Sequence, residues 1–212
     1  MPADRRPFRR ETEEARRDAL ITAALDLVSE GGVAAATVRA IADRAGVTPG
    51  LIRHYFVSKE ELIRAAYRSH MDGMTQDALA VVAAGPADPV SRLAAFIAAT
   101  LSPPVTSGPS VGRWAGFLHV ALSDPAMQDA HEAGYLGFRD VLQVLIADLG
   151  RPQDAAALRR DAIACNAVID GLWLEASVIP DRFLPGEIVA IGLASVGTLL
   201  GIPLSLTEGP KT

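Results

Sequence analysis

A single cysteine, Cys165, stands among 212 residues, which excludes an internal disulfide and a cysteine-rich zinc site and leaves an oxidising compartment without support. The four histidines, His54, His70, His119 and His131, form no i, i+4 pair that could grip a metal from one helix face. No glycine loop followed by lysine is present to cradle a phosphate, and Cys165 falls inside an apolar stretch. Neither metal, cofactor nor catalysis is expected. The N-terminal MPADRRPFRR is basic but runs into a charged amphipathic segment, so no secretory leader is read there. The longest uncharged stretch, Ile188 to Thr207, meets Pro203 after Gly201; a helix stopping near Ile202 leaves roughly 22 Å against a bilayer core of about 30 Å. No membrane partner and a cytoplasmic location follow as expectations.

What is present is apolar and helical. Half of the residues are apolar (50%), enough for a sizeable core, and the formal net charge is −5 with a pI near 5.4. The charge is unevenly spread: residues 1–70 hold 12 Lys/Arg and 10 Asp/Glu, whereas 71–212 hold 8 and 15. The weakly positive part and the negative part therefore face different partners. Arg5, Arg6, Arg9 and Arg10 form a candidate arm toward the minor groove or the phosphate backbone.

Apolar residues recur at helical spacing between short breakers, with no strand-like alternation, so an all-α chain of about nine helices is expected. The first helix covers about Glu11 to Ser29 and is stopped by Gly31-Gly32. Thr37 caps the second, Gly46 ends it with a left-handed residue, and Thr48-Pro49 opens a short third helix reaching Phe56. Ser58-Lys59-Glu60-Glu61 reads as a capping box for a fourth that reaches about Ala84. Asp88-Pro89 and Asp124-Pro125 open the fifth and seventh; Ser110 to Leu122, Gln153 to Val178 and Pro185 to Leu200 make the sixth, eighth and ninth. The expected division is a helix-turn-helix unit over 1–57, a connecting helix over 58–84, and a larger ligand-binding and dimerisation domain over 85–212.

The turn between the second and third helices is short enough to force a steep crossing, and Ala42 and Ala45 keep the first helix slim enough for the next to approach. With Leu51, Ile52, Tyr55 and Phe56 available for packing, Thr48, Pro49, Gly50, Arg53 and His54 fall nearer solvent, as a helix entering a major groove requires. The segment TVRAIADRAGVTPGLIRHYFVSKEELI resembles the N-terminal domain of the TetR/AcrR family of transcriptional regulators, over residues 11 to about 65. That resemblance implies that Thr37 and Arg39 touch phosphate or a base edge and that Thr48, Pro49 and Gly50 form the tip of the recognition helix. Arg53, His54 and Tyr55 then follow on its groove side, and Lys59 lies near a phosphate. Arg39 and Arg53 can donate in a fork to phosphate or guanine, while Thr48 and the helix N-terminus suit phosphate oxygens. The family commonly has an aromatic where Arg53 stands, which leaves base choice there open. His54 and Tyr55 stay open between groove contact and packing.

In the acidic part, Ala190, Ala194, Gly197 and Gly201 make a stripe of small residues beside Val189, Leu193, Val196 and Leu200. Self-association through the eighth and ninth helices is expected, with burial inside the chain as the alternative. A homodimer would set two recognition helices about 34–36 Å apart, hence a palindromic double-stranded DNA operator. WAGFLHVALSDPAMQDAH and IDGLWLEAS resemble the C-terminal domain of BetI-type repressors, which control choline and glycine-betaine pathway genes, over about 112–180. Trp114, Phe117 and Trp173 are large rings in a chain with only 5% aromatic residues, and Asn166, Asp170 and Trp173 share one helix face. Rings around a carboxylate suit a quaternary ammonium, a weakly hydrated cation that donates no hydrogen bond. The same rings could equally be core. The expected small-molecule effector is choline or a related amine.

The combined reading is a one-component repressor whose effector favours a spacing of the two heads that no longer matches adjacent grooves, with the fourth helix carrying the change. A helical DNA-packaging protein would carry net basic charge and would leave most of this chain without a task. An enzyme finds no constellation to work with.

Overall fold

The structure, a computed structural model, describes residues 13–85 and 87–206; Arg5, Arg6, Arg9 and Arg10 lie outside the described residues. Among the described residues there are nine α-helices, one short 3-10 turn and no strand. In order they are α1 Glu13–Ala35, α2 Val38–Ala45, α3 Pro49–Tyr55, α4 Lys59–Ala84, α5 Pro89–Thr100, α6 Gly108–Ala121, α7 Pro125–Ala147, α8 Ala155–Val178 and α9 Glu187–Leu200. The fold is all-α, as the spacing implies. The 3-10 turn Pro180–Arg182 is an addition that periodicity cannot reveal, being three residues long.

Local chemistry sets the ends. The α1 path breaks at Gly31 and Gly32 (φ 69, ψ −178 at Gly32), where the sequence places the stop; a further helical turn to Ala35 then continues beyond the kink. Thr37 accepts a hydrogen bond from the Ala40 N–H at 3.2 Å, and Gly46, left-handed at φ 67, returns its own N–H to α2 carbonyls. Ser58 accepts from the Glu61 N–H at 3.1 Å, while the Glu61 carboxylate accepts from Val57 N–H at 2.7 Å. This is a capping box displaced outward by one residue, because the carboxylate reaches past the cap to the N–H before it. Asp88, Asp124 and Asp154 cap α5, α7 and α8 in the same way, each cap contributing about 1 kcal/mol.

Packing divides the buried side chains into two clusters that meet along α4. Leu62, Ile63, Ala66, Tyr67 and Met71 join the cores of α1, α2 and α3, and this cluster also takes Phe117, Ala121, Met127 and Ala130 from α6 and α7. Ala78 and Val82, further along α4, join α5, α8 and α9 instead. The helix read as a connector is thus rooted in both cores. α6 lies close on α1, since a Cβ on Gly116 would sit 3.0 Å from Val28.

The small residues of α9 serve several ends. A Cβ on Gly197 would lie 2.7 Å from the Ile202 carbonyl oxygen, and Gly201 is the left-handed cap of α9. Val196 and Leu200 are buried in the chain's own core, whereas Ala190 and Ala194 are exposed. Among the described residues no helix is long and apolar enough to cross a membrane.

Candidate nucleic-acid interface and effector pocket

α3 is fastened from below. Ile52 and Phe56 are buried, the Arg17 guanidinium lies 5.1 Å from the Phe56 ring centroid, and Val47 N–H reaches the Ala42 carbonyl at 2.9 Å across the turn. This leaves Thr48, Pro49, Gly50, Arg53 and His54 exposed. Tyr55 is half-buried and packs on the core, with its ring edge-on to His54 at 5.0 Å. Thr48 is the N-cap of α3 yet makes no capping bond with its side chain, so its hydroxyl is available to another acceptor or donor. Gly50 sits inside the helix where a Cβ would meet nothing within 4 Å. Glycine there costs roughly 0.5–1 kcal/mol relative to alanine, and no atom of the chain requires it.

Thr37 is exposed with its oxygen engaged as the α2 cap, and Arg39 lies 90% exposed beside Asp43 at 3.9 Å, a pair too open to hold it. Lys59 is the first residue of α4. Arg44 grips Glu30 with two hydrogen bonds of 2.8 Å and locks α2 to α1, which fixes the platform behind α3.

The body encloses a second feature, a recess of about 500 Å³ counted to its open mouth and bordered by α4 to α8. Trp114, Tyr135, Phe138 and Trp173 supply rings to its wall, Met71, Met74 and Ile169 apolar surface, and Asp170 a carboxylate. Trp114 and Trp173 stand edge to face at 5.5 Å, and the Trp173 indole N–H donates to the Val105 carbonyl at 2.9 Å. Asp170 Oδ2 accepts from the Tyr135 hydroxyl and, at 2.8 Å, from the Asn166 amide. Burial raises the Asp170 carboxyl above its ordinary range, against the opposing pull of these two donors. Burial, together with donation to Asp170, pushes the Tyr135 phenol up to about 12, so it remains a donor.

Of the residues read as a pocket, Trp114, Asp170 and Trp173 border the recess, and Asn166 acts behind it by holding Asp170 and Tyr135, the latter at 2.9 Å. Phe117 departs from the reading. It is fully buried in the other cluster, tilted against Tyr67 at 4.7 Å, because it projects from α6 toward α1 and α4 and not toward α8. Tyr135 was not legible as a site residue, although Tyr135 and Phe138 at i, i+3 on α7 carry the signal of an aromatic face.

Against the expectation that no G-x-S-x-G is present, Gly108 to Gly112 spell that spacing of a hydrolase nucleophile turn. Here it opens α6 with no strand before it, Ser110 is buried in the first turn, and His70 meets the Ser110 backbone; no carboxylate is hydrogen-bonded to His70 among the described residues. The elements of a nucleophile, base and orienting acid are not assembled.

A helix-turn-helix unit on a helical body with an aromatic recess is the architecture of a DNA-binding regulator. Residues 20–66 match bacterial regulatory proteins of the tetR family, and residues 89–201 match the C-terminal domain of BetI-type transcriptional repressors. The chain is 34% identical over 170 residues to the HTH-type transcriptional regulator BetI of Paraburkholderia phytofirmans, covering 80% of this chain and 86% of that one. The same regulator from Paraburkholderia xenovorans is 32% identical over equal coverage. Among solved structures, a transcriptional regulator from Pseudomonas aeruginosa PAO1 superposes with a TM-score of 0.81 at 30% identity, covering 92% of this chain and 95% of that one. A regulator from Saccharomonospora viridis in complex with choline shares the fold at a TM-score of 0.67 and 18% identity, covering 89% and 97%. The chain belongs to the TetR family, with a C-terminal domain of the BetI type, and is a transcriptional regulator and not an enzyme.

Proposed function

We propose that the protein is a cytoplasmic homodimeric repressor that holds a palindromic operator and releases it when a quaternary ammonium, choline or a close relative, enters the aromatic recess. The observation that carries the ligand class is the set of four rings, Trp114, Tyr135, Phe138 and Trp173, around the Asp170 carboxylate. Ring faces attract a methylated cation without asking it for hydrogen bonds, and a carboxylate already supplied with donors on one oxygen balances its charge. The choline held by a protein of the same fold supports this reading.

On the DNA side, Thr48 and the Pro49-Gly50 tip approach the backbone, Arg53 and His54 the base edges, Tyr55 presents one edge while its ring stays with the core, Thr37 and Arg39 touch phosphate or a base edge, and Lys59 binds a phosphate. Dimerisation uses the outer faces of α8 and α9, where Leu174, Val178, Ile191 and Leu199 are exposed along with Ala190 and Ala194. Gly197 and Gly201 shape the end of α9 and contribute to that surface only through its form. The functional division runs 1–57, 58–84 and 85–212, with α6 and the start of α7 packed on the DNA-binding unit. α7 links the sites directly: Tyr135 bonds Asp170 in the recess, and one turn away His131 is hydrogen-bonded to Tyr67 in the N-terminal core.

The chain contains two tryptophans, and both border the recess, so their fluorescence reports on it. Choline should change that fluorescence saturably and lower operator affinity in parallel; Asp170→Asn should abolish both responses. Unchanged fluorescence and unchanged operator affinity would refute the ligand assignment.

A further inference from the structure

A second recess, of about 610 Å³ counted to its mouth, lies where α1, α4 and the segment leading into α6 meet; Met74 is the one residue that borders both recesses. His70 on α4 is 8% exposed, and its Nε2 has no hydrogen-bond partner among the described residues; the buried Nε of Arg113 on α6 has none either. An unsatisfied buried polar atom costs about 1–3 kcal/mol, so two of them on one recess, from separate helices, ask for a partner from outside the chain. Gly73, three residues along α4 from His70, faces the same space, and a Cβ there would meet nothing within 4 Å. The helix gives up propensity for a clearance that no atom of the chain occupies.

The charges define what fits. Arg113 reaches Asp26 only at 3.5 Å, and Asp77 borders the recess as well, so one guanidinium stands against two carboxylates. A bare anion is repelled by the carboxylates and a bare cation by Arg113. The His70 ring is neutral at pH 7, because burial and the neighbouring Arg113 push its pKa down to about 4. With the ring proton on Nδ1, the unpartnered Nε2 is an acceptor. The recess therefore presents a donor for a carboxylate, and an acceptor with a carboxylate for N–H groups.

We propose that this recess is a second effector site for a small zwitterion with a primary ammonium, an α-amino acid, whose carboxylate binds Arg113 and whose N–H groups bind His70 Nε2 and Asp77. The two recesses select opposite cations: the aromatic one takes a cation without N–H, and this one requires N–H. Its walls come from both cores, Leu25 packing with the DNA-binding unit and Val105 with the body, so an occupant stiffens the seam between them.

The test is isothermal titration calorimetry of the full-length protein with the common α-amino acids one at a time, and with acetate, ethylamine and N,N,N-trimethylglycine as controls. At least one amino acid should bind saturably and the controls should not. Asp77→Asn, at an exposed position, and Arg113→Gln should each weaken binding about tenfold or more, the scale of a lost charge-assisted hydrogen bond. Asp170→Asn, in the other recess, should leave it unchanged, and circular dichroism melts should show all three variants folded. The proposal is overturned if no amino acid binds, if trimethylglycine binds equally, if Asp77→Asn keeps full affinity in the folded protein, or if Asp170→Asn removes the binding.

Discussion

At the scale of single residues, stability and function pull apart at Gly50. No described residue needs a glycine there, so Gly50→Ala should stabilise the fold by about 0.5–1 kcal/mol in urea unfolding while weakening operator binding, because the added methyl stands on the face proposed to meet the phosphate backbone. Equal or tighter binding by the variant would remove Gly50 from the interface. His70 gives a pH signature. Its folded pKa of about 4 lies below the ordinary 6.5, so the unfolded chain binds the extra proton between these values. Stability is complete above about pH 6.5 and falls as pH drops toward 4, by on the order of 3 kcal/mol from this group. Arg113 on α6 and Asp77 on α4 face the same recess. Glu30, Glu60 and Asp88, whose pKa values are lowered, lose stability in the same direction at lower pH. The quantity to measure is therefore the stability of wild type minus that of His70→Gln, which should fall between pH 7 and pH 5 because only the unfolded wild type takes up this proton.

Residues whose roles are local were legible in the sequence. Thr37, Gly46 and Ser58 act on atoms within a few positions of themselves, and spacing alone predicts such caps. Tyr135 was not legible, since its role rests on Asp170, 35 positions away, and only packing brings them together. Phe117 misled for a related reason: it follows Trp114 by three positions, yet its ring lies wholly in the cluster of α1 and α4, whereas Trp114 touches both clusters and borders the recess.

At the scale of elements, the breakers place the nine helices of the described residues within a few residues, except that α1 runs past its Gly31-Gly32 kink to Ala35, because Asp-Pro, Thr-Pro and Gly signals act before any tertiary contact forms. Which helices join which core was not readable in the same way. The attachment of α6 to α1 depends on Gly112 and Gly116, four residues apart on the face toward Ser29 and Val28, a small-residue spacing that does signal close helix approach once the partner helix is known. We propose that this attachment, with α4 and α7, couples the recess to the DNA-binding unit. Tyr67→Phe removes the hydroxyl that ties α4 to His131 on α7. Operator affinity without choline should stay within about twofold of wild type, while the choline-dependent fall, of the 5- to 150-fold size typical of such coupling, should shrink. A full response in this variant would route the coupling elsewhere.

At the scale of the whole molecule, the proposed homodimer holds two heads at a fixed distance, and the exposed apolar residues of α8 and α9 are the surface we propose sets it. Ala194→Arg places a charge on that surface without disturbing a buried atom. Sedimentation should show a monomer with unchanged helix content, and operator binding should fall far more than the loss of one contact would explain; a stable dimer with wild-type affinity would move the interface to another face.

The most direct measurement is selection of random duplex DNA by the wild-type protein and by Arg53→Ala, each with and without choline. The wild type should enrich an inverted repeat, Arg53→Ala should lose preference at symmetric positions within it, and choline should suppress enrichment by the wild type. Enrichment of no defined sequence, or of the same repeat at the same strength by Arg53→Ala and in the presence of choline, would contradict the account.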